Sequence, residues 1–136
     1  MIKNLIWAAF LVGSAASPVR AAPSDLDDAQ SKGKKALAAL TTGERDTVCF
    51  VALSQSVTTL DTYKGEKDAV FISLRAKLHD GETFYAGRMT AQYSGDALNA
   101  AKTKAMAKVT SLRGDEDGSL TFACHTVFIE TIATVP

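Results

Sequence analysis

Two cysteines, Cys49 and Cys124, constrain this 136-residue chain more than any other feature. Both sit in apolar, β-favouring surroundings, Thr47-Val48-Cys49-Phe50-Val51 and Phe122-Ala123-Cys124-His125-Thr126. Whether they pair depends on the compartment, and the N-terminus speaks to that. Met1-Ile2-Lys3-Asn4 is short and basic, and Leu5 to Ser17 is apolar but too short to cross a bilayer. Pro18 breaks the run, and Val19-Arg20-Ala21 fits the small-x-small rule for signal peptidase. Residues 1–21 therefore read as a cleavable signal peptide, and 22–136 as one domain. No cysteine lies near the cleavage point, which argues against a lipid anchor. In an exported chain an even cysteine count reads as a disulfide, here with one pairing open to it. Closing the 75-residue separation between Cys49 and Cys124 stabilises by about 4 kcal/mol in the chain-entropy account.

Cleavage removes Lys3 and Arg20, so 15 basic residues become 13 against 15 acidic ones. A chain near neutrality lacks the bulk positive field that nucleic-acid binding uses. The span 24–135 holds no proline, which suits long uninterrupted strands or helices.

Two segments read as helices. Ser24 to Leu40 carries Asp25, Asp27 and Asp28 at its start, where the helix dipole favours acids. Leu26, Ala29, Gly33, Ala36, Leu37 and Leu40 form its apolar stripe. Gly33 costs such a helix about 1 kcal/mol unless another element packs closely on it. Gly43 is read as the stop. Ser94 to Leu112 has Ser94 as cap and an alanine-rich stripe of Leu98, Ala101, Ala105, Val109 and Leu112. Such a stripe permits close approach to a neighbouring element.

Three segments read as β structure. Thr47 to Thr58 is rich in Val, Phe and Thr. Val70, Ile72, Leu74, Ala76 and Leu78 alternate with more polar residues, and Asp80-Gly81 follows as a two-residue hairpin turn. With His79 facing Glu82, Leu78 faces Thr83, Ala76 faces Tyr85 and Ile72 faces Met89, which sorts one face as apolar. Ser119 to Thr134 is the last β-rich run, after the charged turn Arg113 to Gly118. The expectation is an α+β fold of order α-β-β-β-α-β. It has an antiparallel sheet of about four strands, two helices and one intrachain disulfide. The order α-β-β-β-α resembles double-stranded-RNA-binding domains in outline, but that family's basic helix start is missing.

Chemistry is sparse. No G-x-S-x-G, H-E-x-x-H or phosphate loop occurs, and the acids cluster at helix starts and turns. The paired Cys/His spacings of a zinc site are absent, and a bridged sulfur is no nucleophile. The expectation is a non-enzyme that needs no cofactor or metal. The second hairpin face would mix Phe71, Arg75, Lys77, His79, Phe84 and Arg88. Aromatic and arginine side chains are common interface anchors. The chain thus reads as a small periplasmic, or else secreted, binding protein. Its partner would be a protein or envelope component, in the manner of inhibitors and immunity proteins. A small-ligand or metal carrier is the alternative, and a small hydrolase the second.

Overall fold

The structure, a computed structural model, describes residues 23–63, 68–113 and 119–136. Among these residues every regular element is an α-helix. They are α1 (Pro23–Ala38), α2 (Thr42–Asp61), α3 (Ala69–Gln92), α4 (Gly95–Arg113) and α5 (Ser119–Ile132). The expected α+β sheet is overturned: all three β segments form helices. The two expected helices are α1 and α4. Residues 1–21, read from the sequence as a signal peptide, lie outside the described residues, as do residues 114–118 of the expected charged turn.

Thr47–Thr58 belongs to α2, and its start shows why. Thr41 has extended backbone, and its hydroxyl accepts from Glu44 N, while Glu44 accepts from Thr41 N. This capping box, Thr41-Thr42-Gly43-Glu44, satisfies two backbone donors that a helix start leaves free. Gly43 thus lies inside the first turn of α2 and does not stop α1. The β-branched residues then tolerate the helix because α2 is central, touching α3, α4 and α5. Asp46, Thr47, Val48, Cys49, Val51, Ala52, Leu53 and Val57 are all buried, around the whole circumference. A helix buried all round shows no helical stripe, so local β propensity dominates its sequence pattern.

In α3 the misleading feature is arithmetical. Val70, Leu74 and Leu78 recur every four residues, which satisfies both a period of two and a helical turn. The positions that distinguish the periods are Ile72 and Ala76, and both are exposed, Ile72 at 57 %. The buried stripe is Leu74, Leu78, Gly81, Tyr85 and Met89, spaced four, three, four and four. Asp80-Gly81 makes no turn. A Cβ on Gly81 would lie 3.0 Å from the Leu53 Cδ1, so this glycine lets α3 approach α2. Asp68 caps α3, its carboxylate accepting from Val70 N at 2.9 Å.

Cys49 and Cys124 are disulfide-bonded, joining α2 to α5 with Cα atoms 5.3 Å apart, and both are fully buried. The Tyr85 hydroxyl donates to the Cys124 carbonyl at 2.9 Å, bringing α3 onto the same point. Ser56 and Thr121 hydroxyls meet at 3.0 Å nearby. Leu53, Leu74, Leu78, Val109, Leu120 and Phe128 complete this core. α1 lies on α5 and adds Leu37 to this core. A Cβ on Gly33 would stand 2.4 Å from the Ser119 carbonyl oxygen and 2.7 Å from the Ala123 Cβ. The mid-helix glycine is therefore a contact surface, and Lys34–Glu130 at 2.7 Å flanks it.

Candidate ligand groove

The six residues expected on one sheet face all lie on α3, but a helix divides them. Phe71, Arg75 and His79, four apart, run along one flank of the buried stripe, while Lys77, Phe84 and Arg88 run along the other. Phe71 stacks on Tyr63 with ring centroids 4.6 Å apart. Arg75 ion-pairs with Asp61, which holds that carboxyl below its usual range. His79 Nδ1 lies 3.0 Å from Glu82 Oε2, a contact made one helical turn apart and not across strands. Phe84 packs against Tyr85 and Phe128. Arg88 lies over the Phe84 ring and donates to Asp46 Oδ2 at 3.0 Å. Asp46, only 1 % exposed, also accepts from Gln92 Nε2 at 2.8 Å. On that flank, Arg88 and Phe84 serve to join α3 to α2 and α5.

His125 is buried with Nε2 lacking a hydrogen-bond partner. Burial, and next the Lys77 charge, push its pKa below the ordinary imidazole value, against the opposing pull of Asp80. Its ring meets Phe128 edge-on. Among the described residues no group of three His, Cys, Asp or Glu could hold a metal. No described helix is long and apolar enough to cross a membrane.

A concavity lies elsewhere, between α2 and α4. Ala105 and Val109 are buried, so the two helices are close there. Towards the start of α4, Ala97 and Ala100 are exposed, and their short side chains leave space. The result is a groove of about 670 Å³, walled by Leu40, Thr47 and Val48 on one side and Ala97, Ala101 and Ala105 on the other. Tyr93, at the α3–α4 junction, also lines it.

Its charged rim comes from Glu44, Lys104 and Lys108. Lys104 Nζ lies 2.7 Å from Glu44 Oε1, tying α4 to α2. That ammonium, followed by the Thr41 hydroxyl and amide, lowers the Glu44 carboxyl to about 2. The carboxylate in turn raises the pKa of Lys104. Lys108, one turn further along α4, is exposed, and among the described residues its ammonium has no hydrogen bond or ion pair.

Sequence reasoning found the α4 stripe but not the groove. Two signals pointed that way: the Thr41–Glu44 capping box, which starts α2, and lysines at 104 and 108 flanking the stripe at helical spacing. Comparison with family models, curated proteins and solved structures found no match for this chain. The functional reading therefore rests on geometry.

Proposed function

We propose that this chain is an exported binding protein that carries a small, mostly apolar molecule in the groove between α2 and α4. The groove is the observation that carries this reading. Its volume falls in the range of small-molecule sites, and its lining is largely methyl groups with a few polar atoms at the rim. The disulfide and the all-round burial of α2 make one wall rigid, and a preformed wall lowers the ordering cost of binding.

The test uses N-phenyl-1-naphthylamine, an uncharged apolar fluorophore. Saturable binding at one site is expected, and Ala101→Phe, which fills the groove, should abolish it while leaving helical circular dichroism unchanged. Absence of saturable binding, or binding indifferent to Ala101→Phe, would reject the reading.

A macromolecular partner remains the second reading, favoured by the exposed α3 flank where Ile72 lies beside Phe71, Arg75 and His79. Charge reversal at Arg75 should then weaken capture of that partner without unfolding the chain.

A further inference from the structure

We infer that the groove takes a fatty acid: one alkyl chain along the α4 wall, with its carboxylate held by Lys108. This rests on the carrier reading above and names its cargo.

Charge complementarity selects the head group. Of the three ionised side chains lining the groove, Glu44 and Lys104 neutralise each other across 2.7 Å. Glu44 is further held by the Thr41 hydroxyl at 2.9 Å, so its carboxylate is committed to the helix start. Lys108 is left as the uncompensated charge of the lining. A neutral cargo would leave that ammonium unused, and a cation would be repelled by it. A singly charged anion matches it.

Shape selects the tail. Ala97, Ala101 and Ala105 follow one another at four-residue spacing, leading away from Lys108 towards Tyr93. From position 108 to position 97 the helix rises about 16 Å, the reach of a medium-length alkyl chain. Opposite lie Leu40 and Val48. Each methylene removed from water contributes about 0.8 kcal/mol, so the tail supplies most of the affinity and the head supplies orientation.

Displacement of bound N-phenyl-1-naphthylamine by dodecanoate, dodecanol and lysophosphatidylglycerol distinguishes the outcomes. Dodecanoate should compete best, and Lys108→Gln should raise its Kd by about fivefold, the worth of a partly exposed ion pair. The same substitution should leave dodecanol unchanged. If dodecanol competes as well as dodecanoate and Lys108→Gln changes neither, the head-group assignment fails while the carrier reading stands. Tighter binding of lysophosphatidylglycerol overturns the fatty acid in favour of a phospholipid. If the fluorophore itself does not bind, both readings fail. A dimer in sedimentation that Ala101→Phe dissociates would mean that a second copy fills the groove.

Discussion

Glycine gives the sharpest contrast between local and tertiary effects at the scale of single residues. Gly33 and Gly87 both lie inside helices, where alanine is favoured by about 1 kcal/mol. A Cβ at Gly87 meets nothing within 4 Å, whereas one at Gly33 collides with the α5 backbone. Gly87→Ala should therefore raise the urea midpoint. Gly33→Ala should lower it, because overpacking against backbone costs about 2 kcal/mol and outweighs the helical gain. His125 supplies a pH dependence. Its pKa in the fold lies below the ordinary 6.5, because burial and the Lys77 charge disfavour the imidazolium. As pH falls below 6.5 the unfolded chain takes up the proton first, and stability declines until the folded pKa is passed. The charges acting on the ring are those of Lys77 and Asp80, and Phe128 packs against it. Thermal melts between pH 7 and 5 should show this decline, and His125→Gln should flatten it. Glu44 acts in a separate window. Its carboxyl is lowered from 4.5 to about 2, so its contribution is complete above 4.5 and is lost as pH falls towards 2.

Between elements, the polar contacts carry a definite direction. Asp46 in α2 is buried and accepts from both Arg88 and Gln92 in α3. Asp46→Ala should cost about 2 kcal/mol, since it leaves two donors facing a lost acceptor, one of them charged. Urea unfolding of the variant measures that cost. Arg88 is half-exposed and can turn to water when Asp46 is lost, whereas Arg88→Ala leaves the buried Asp46 carboxylate with Gln92 alone, so Arg88→Ala should cost at least as much as Asp46→Ala. Such contacts also explain what was readable in advance. The stripes of α1 and α4 were legible because each helix buries one side. In α2 no stripe exists to be read, and in α3 residues 70, 74 and 78 fit two periods at once. The groove was hidden for a related reason. Alanines on α4 announce close packing, but only the placement of α4 beside α2 turns part of that helix into a wall. The partner face expected from Phe71, Arg75, Lys77, His79, Phe84 and Arg88 presupposed a sheet, and α3 separates its members.

Across the whole molecule, the disulfide and the helical content are the properties to measure. The spectrum should be dominated by minima at about 208 and 222 nm, as expected of helical backbone. The protein denatured without reductant should show no titratable thiol, because both cysteines are bridged. Replacing Cys49 and Cys124 by alanine should lower stability by about 3 kcal/mol. Part of that loss comes from the chain entropy released in the unfolded state. The remainder comes from the core itself, because the bridge lies where α2, α5 and Tyr85 meet.

Cysteine pairing and the two one-sided helices followed from the amino-acid order alone. Two cysteines leave one intrachain pairing to expect, though the fold must still bring them together, and a one-sided helix displays its buried stripe directly. The helical state of α2, α3 and α5 was decided by tertiary structure. Their β-branched and alternating residues favour strands locally, and burial against several neighbours overrides that preference. The groove belongs to the same level, since a space between two helices is a property of their packing and of no single segment.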